Sequence, residues 1–254
     1  MSSNIVGIVL IIAVAFIAKV IHATIGMGFG IMMTFIFLFL GYDPTQVVTA
    51  ILVSQTVGQI LAAFFHQKFK NVNFSRGSQE LKITLVIILL SLLGAVIGPL
   101  IQVNVPKFYM KLFTSTIIVA LGVFMLLKLK SSSSFSWSKL GFMGFSAGFL
   151  KGLTGCGYGP VLTAGQIIIG VEGKSAIGIT MLSGPIMFIT SIITYILAGT
   201  SIDWYLCLYI TIAVAFATPL AAFFLKRIRS DQLKFILSIS TIIMGILITV
   251  RTFF

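Results

Sequence analysis

Apolar stretches of about 15–22 residues, separated by short polar or basic interruptions, run through the whole chain. A helix needs about 20 residues to cross a hydrocarbon core of about 30 Å. Segments 47–65, 83–101, 113–127, 176–197, 204–225 and 235–250 contain no charged side chain. Period-two alternation, the mark of a membrane barrel, is absent, so these six segments are predicted to be helical spans. Two further apolar regions, 5–40 and 140–170, are interrupted by alternate glycines: Gly26, Gly28 and Gly30 in the first, Gly155, Gly157 and Gly159 in the second.

The two glycine clusters lie 129 residues apart, and the register extends well beyond them. At that offset Thr34, Gly41 and Ser54 meet Thr163, Gly170 and Ser183; Asp43 meets Glu172, Phe29 meets Tyr158 and His22 meets Lys151. The sequence Ser-Thr-Ile-Ile at 115–118 returns at 240–243, a slightly different offset. The chain therefore reads as a duplicated unit, with membrane repeats at 1–127 and 138–254 joined by a basic, Ser-rich linker at 128–137.

Composition adds the solvent. With 58% hydrophobic and 9% charged residues, and a mean hydropathy of +1.15, there is too little polar surface to cover a soluble globule. An all-α polytopic membrane protein is expected, multi-pass in a plasma or inner membrane, its first helix retained because the amino terminus lacks a basic leader region. The net charge of +12 does not indicate nucleic acid, because the basic residues gather in short segments between spans, where lipid headgroups and cytoplasmic placement account for them. Cys156 and Cys207 are the two cysteines, and neither a disulfide framework nor a metal-ligand spacing is present in the sequence. No cofactor is expected.

Lysine and arginine also orient the chain. Lys68, Lys70, Arg76 and Lys82 in loop 66–82, Lys128, Lys130 and Lys139 around the linker, and Lys226, Arg227, Arg229 and Lys234 in loop 226–234 are all expected in the cytoplasm. If each glycine-interrupted region crossed once, Lys and Arg would divide 8 inside against 7 outside. If each enters and returns, they divide 12 against 3. The second arrangement places both termini outside and makes the duplication inverted. The predicted fold is two inverted repeats, with about eight full transmembrane helices plus short re-entrant or broken helices at the glycine clusters.

Alternate glycines destabilise a continuous helix by about 1 kcal/mol each, so the helices are predicted to unwind there. The following segments, 31–40 and 160–169, are long enough for about 15 Å of helix, half a bilayer. Pro160 suits the first position of a new helix. Paired interruptions at matching positions of two halves point to a transporter's binding site, and helix N-termini aimed into it would seat an anion. Lys151 lies about 18 Å along a helix from Lys139, deep in the hydrocarbon region, where an ammonium costs about 3 kcal/mol or more unless a ligand, water or partner meets it. No acidic residue sits within a span to pair with it.

The expected substrate-binding residues are Gly26, Gly28, Gly30, Thr34, Ser54 and Gln55 in the first copy and Lys151, Thr154, Gly155, Cys156, Gly157, Tyr158, Gly159, Thr163 and Ser183 in the second. His22, which titrates near neutral pH, is the expected coupling residue. Each has a plainer reading: close helix packing for the glycines, snorkelling for Lys151, neutral packing for His22, interhelical contacts for the hydroxyls. Packing alone does not explain why five-residue clusters recur with Lys151 and His22 attached. Lys19 is expected near an interface, with no role. An intramembrane enzyme is disfavoured, since no span holds paired carboxylates or a clustered His and Glu set, and no catalytic residue is assigned.

The paired glycine-rich segments, each followed by a short apolar stretch and an acidic turn (Gly41-Tyr42-Asp43-Pro44 and Gly170-Val171-Glu172-Gly173), resemble the sulfite exporter TauE/SafE family of membrane permeases. The stretch from Gly155 to Pro160, with Leu162 and Thr163, is similar to the family's Gly-x-Gly-Gly-Gly followed by proline. Tyr158 and Phe29 stand where that pattern has glycine, and Ile31 stands where it has proline. The resemblance implies transport of sulfite, organosulfonates or related small sulfur-containing anions. The expected protein is a secondary exporter working by alternating access around a central site, coupled to a proton or sodium ion, with an anion channel or a non-transporting scaffold as alternatives. The second copy is expected to hold the anion and the first to carry the coupling.

Overall fold

A computed structural model describes residues 5–25, 29–39, 42, 44–102, 107–127, 135–154, 158–197, 199, 201–227 and 230–253. Among these residues there are ten helices and no strand: α1 (Ile5–Ile25), α2 (Phe29–Phe39), α3 (Pro44–Lys68), α4 (Gln79–Gln102), α5 (Lys107–Leu127), α6 (Trp137–Thr154), α7 (Tyr158–Ile168), α8 (Gly173–Leu197), α9 (Trp204–Arg227) and α10 (Ser230–Phe253). The six uninterrupted segments lie inside α3, α4, α5, α8, α9 and α10. Four stretches are long and apolar enough to cross a membrane by length and composition: Gln46–Lys68, Gln79–Ile97, Gly173–Leu197 and Trp204–Leu225.

Helix boundaries recur through the chain. The end of α1 and both ends of α2 and α3 reappear 129 residues later as the end of α6 and both ends of α7 and α8; α4 and α9, each 24 residues, are related by 125. The difference lies in the connection after α3, which is longer than the one after α8. Capping follows the same register. The Tyr42 amide donates to Phe37 O (2.9 Å) beyond α2, as Val171 does to Gln166 O (2.9 Å) beyond α7. Past α3, Lys70 has φ 59° and donates to Gln67 O; past α8, Gly199 has φ 79° and donates to Ile196 O. These bonds satisfy carbonyls that a helix end would otherwise strand in an apolar medium.

Several boundaries differ from the sequence expectation. The helices run past the apolar windows into polar residues, so the expected loop 66–82 shrinks to 69–78, and the expected loop 226–234 lies partly in α9, which ends at Arg227, and in α10, which starts at Ser230. Long basic side chains allow this, since their stems lie along apolar surface while the charge reaches water. Ser78 sets the new start of α4, its Oγ accepting from the Leu81 amide (3.2 Å), while α9 starts at Trp204 as expected, with Asp203 Oδ1 accepting from the Leu206 amide (3.0 Å). Helix α7 starts at Tyr158, so Pro160 is its third residue rather than its first. The missing N–H still falls in the first turn, where it has no helical acceptor.

Packing crosses between the halves. Helix α1 packs along α9 and α6 along α4; α3 lies against α9 and α8 against α4; α3 and α8 meet each other. The α4–α6 contact is close because glycines bring backbones together: a Cβ on Gly148 would strike the Ser91 backbone, and one on Gly94 the backbone of Phe145 and Phe149. One core is built around α4, α6, α7 and α8, the other around α1, α2 and α9, and α3 contributes to both. Large apolar side chains such as Phe216 (73% exposed) and Leu89 (67%) face outward, while Lys19, His22, Gln55, Gln59, His66 and Lys151 are buried. That distribution is the inverse of a soluble domain and suits a lipid surround.

Candidate functional site

Helices α1 and α6 end where α2 and α7 are about to begin, at the two glycine clusters. Gly26, Gly28, Gly155, Cys156 and Gly157 lie outside the described residues, as do the side chains of Thr34 and Thr154, the turn residues Gly41 and Asp43, and linker residues 128–134. Gly30 falls in the first turn of α2, and Gly159 is buried in the first turn of α7.

On the first-copy side, α1 brings His22 and Lys19 to the face where α2 starts and α3 passes. Lys19 is completely buried, not interfacial as its sequence context suggested, and its Nζ donates to Gln55 Oε1 (2.9 Å). The same ammonium sits 5.8 Å from the centre of the Phe29 ring. Because Lys19 only donates, Gln55 must present its oxygen there, which leaves its Nε2 3.4 Å from His22 Nε2. The Phe29 amide points at the other ring nitrogen, Nδ1, at 3.5 Å. Two donors thus face the ring, and a neutral imidazole can accept from one of them at a time. Ser54 is buried beside them but donates back to Ile51 O (3.1 Å) of its own helix.

On the second-copy side, Lys151 occupies the last turn of α6 and is buried, with Nζ 5.0 Å above the Phe188 ring of α8. Phe188 also packs edge-on against Tyr158 (5.9 Å) at the start of α7. The Tyr158 hydroxyl donates to Ser183 Oγ (2.8 Å). Thr163 lies one turn further along and contacts Thr180 Oγ1 (3.0 Å). Since Thr180 donates to Ala176 O (2.9 Å), Thr163 is the donor in that pair, and its proton is committed to α8.

Gln59 and Gly184 join the two sides. Gln59 follows Gln55 by one turn of α3, and its side chain fills the space that a Cβ on Gly184 would need. Gly184 adjoins Ser183, the partner of Tyr158. A polar seam therefore runs from Lys19 and His22 through Gln55 and Gln59 to Ser183 and Tyr158.

Sequence reasoning brought His22, Gln55, Lys151, Tyr158, Ser183 and the glycines to this region. It passed over Lys19, Gln59 and Phe188. Lys19 was findable: it precedes His22 by three residues, which places both on one helix face. The electrostatics have one sign, because the buried charged side chains among the described residues are basic, with no aspartate or glutamate. Among those residues no three His, Cys, Asp or Glu side chains are grouped to hold a metal ion.

No curated protein matches the chain. The family model Sulfite exporter TauE/SafE matches residues 11–248, nearly its whole length, and this span takes in both glycine clusters and every helix that lines the seam. The chain belongs to the TauE/SafE sulfite exporter family of membrane transporters.

Proposed function

We propose that this protein is a secondary transporter that exports small anions, sulfite or organosulfonates before other classes, across a plasma or inner membrane. The observation that carries this reading is Lys19: it is completely buried, and its Nζ is met by the neutral Gln55 Oε1 (2.9 Å) and the Phe29 ring. An anion from solution is the natural counter-charge for a buried ammonium.

The two halves, 1–127 and 138–254 about the linker 128–137, are read as inverted repeats. The recurring helix ends, the matched caps and the reciprocal packing of α1 on α9 and α6 on α4 support that reading. Helices α2 and α7, 11 residues each and so about 16 Å long, serve as the short arms of two broken pairs. Rocking of the halves about the α3–α8 contact alternates access to the seam. Lys151, Lys19 and backbone N–H groups at Gly26, Gly28, Gly30, Gly155, Gly157 and Gly159 hold the anion, while Gln55, Tyr158 and Ser183 orient it. His22 carries the coupling.

A thermal-shift series with sulfite, sulfonates, thiosulfate, sulfate and carboxylates tests the substrate class. A ligand at about 100 times its Kd stabilises the folded state by about 2.7 kcal/mol. Stabilisation by sulfite or a sulfonate is expected. Stabilisation by carboxylates alone would remove the sulfur-anion reading.

A further inference from the structure

We infer that α3 carries a hydrated proton route from the loop after α3 to Lys19, making the proton the coupling ion. The inference rests on the transport reading above and adds the path and its residues. Gln55, Gln59, Ala62 and His66 fall within an arc of about 60° on α3, and Gln55 and His66 lie about 16 Å apart along its axis. All four are buried. Two of them bear buried polar atoms with no hydrogen-bond partner, Gln59 Oε1 and His66 Nε2.

The chemistry of those two atoms is complementary. Asn71 Nδ2 donates to Ala222 O of α9 (2.9 Å), which fixes the orientation of its amide, and its second hydrogen faces His66 Nδ1 (3.1 Å). His66 Nδ1 therefore accepts, and the neutral ring bears its proton on Nε2, which points into the protein without an acceptor. Gln59 Oε1 is an acceptor without a donor. The two are about 10 Å apart along the helix, with Ala62 and Ala63 between them. Side chains cannot close that distance, whereas a short file of waters can, and unsatisfied buried polar atoms flanking small residues are where such waters reside.

The route reaches two ionisable groups at its inner end, Lys19 and, beside Gln55, His22, whose Nε2 lies 3.4 Å from Gln55 Nε2. His66 faces Asn71 of the loop, which in turn donates to Ala222 O of α9. Gln59 faces Gly184 of α8. Lys19 faces Gln55 and Gly58 of α3 and Phe29 of α2. Asn71 is buried and Val72 packs on Gly178 of α8, so the loop closes the outer end of the stripe. When Asn71 swings away, a proton adds at His66 Nδ1 and the Nε2 proton leaves into the water file. It passes Gln59 and Gln55 and converts the Lys19 amine to an ammonium. Return of the Nδ1 proton to Nε2 through water, followed by Asn71 closing, restores the starting tautomer. Proton and anion then meet at one residue, since the ammonium binds the anion more tightly than the amine does, while exchange of one anion for another proceeds with Lys19 kept charged.

The test uses purified full-length protein in liposomes carrying a luminal pH dye, with sulfite as probe. Sulfite counterflow at equal concentrations needs no net proton movement, whereas sulfite driven by its own gradient does. His66→Gln, which keeps a hydrogen-bonding group but cannot relay a proton, is expected to retain counterflow and to lose sulfite-driven pH change down to the leak of protein-free vesicles. Gln59→Leu is expected to do the same, and normal counterflow in either variant certifies its fold. Coupled pH change at the wild-type rate in both variants would overturn the route. Absence of counterflow in the wild type would instead strike the transport reading and remove the coupling role with it. An experimental map supplies a readout independent of substrate: ordered water beside both His66 Nε2 and Gln59 Oε1 supports the route, and a dry gap between them refutes it.

Discussion

Replacing Lys19 by methionine separates a residue kept for binding from one kept for stability. Lys19 is completely buried, and its hydrogen bond to Gln55 Oε1 is 2.9 Å long. Methionine matches the length and flexibility of the aliphatic stem, so no large cavity is expected. Removing the ammonium relieves a burial penalty of about 3 kcal/mol. Losing the charge-assisted bond and leaving Gln55 Oε1 unpaired takes back about 1–3 kcal/mol. The difference favours the variant, so Lys19→Met should leave folding stability unchanged or raise it by up to about 2 kcal/mol. Binding has no such compensation. A hydrogen bond from a charged donor contributes about 1.5–3 kcal/mol, so sulfite affinity should fall by roughly 10- to 150-fold. Thermal shift without ligand and with a sulfite titration measures both quantities on one sample. A folded Lys19→Met protein that binds sulfite as the wild type does would refute the assignment of Lys19 to the anion.

Four further outcomes follow from the geometry and the topology. Lys151→Ala should abolish sulfite flux in proteoliposomes while the protein remains monodisperse on size exclusion, and normal flux would remove Lys151 as the anchor. Tyr158→Phe deletes the donor to Ser183 and should lower stability by about 1 kcal/mol in chemical denaturation, because Ser183 still donates to Thr180 O (3.3 Å). Gly148→Ala should destabilise by about 1–3 kcal/mol or more, since its Cβ meets the Ser91 backbone, whereas Gly184→Ala meets only the tip of Gln59 and should be milder; equal losses of Tm would contradict the packing. A reporter at the carboxyl terminus should sit outside the cell, and a cytoplasmic signal would dismiss the inverted topology.

The fold was legible to the extent that it is written in apolar length and glycine spacing. Ile25 and Thr154 end the described helices next to the clusters, whose residues 26–28 and 155–157 lie outside the described residues. The cap at Ser78 was less visible, since a window scored for charge stops at Lys82 while the helix itself begins where a side chain can accept the first amides; the start of α9 at Trp204 was read directly. Burial of Lys19 was not visible from composition at all. It depends on α9 packing along α1 and on Gln55 arriving from α3, both long-range events. The stripe of Gln55, Gln59 and His66 carried its own signal in spacings of four and seven residues, but polar residues in a span draw notice only when charged. Thr163 shows the opposite limit, because its position was readable while the commitment of its hydroxyl to Thr180 was not.

The repeat register shows how one fold can serve two ions. In the 129-residue alignment Lys19 matches Gly148, Gln55 matches Gly184, Gln59 matches Phe188 and His66 matches Tyr195. Each polar member of the first-copy stripe thus has a small or aromatic counterpart in the second. Gly148 brings α6 against α4, Gly184 admits Gln59, and Phe188 lies beneath the Lys151 ammonium. If the repeats are inverted, equivalent stripes open toward opposite faces of the membrane, so a polar stripe in one copy and an apolar one in the other let protons approach Lys19 from a single face. Lys151 stands apart from that route, against Phe188, which packs on Tyr158; under the proposed function it would meet the anion there without titrating along the α3 path. Transferring the stripe to the second copy, with Phe188→Gln and Tyr195→His together, should therefore create a proton leak at the other face. Unchanged leak and coupling in a folded double variant would show that the asymmetry of the two stripes has no part in transport.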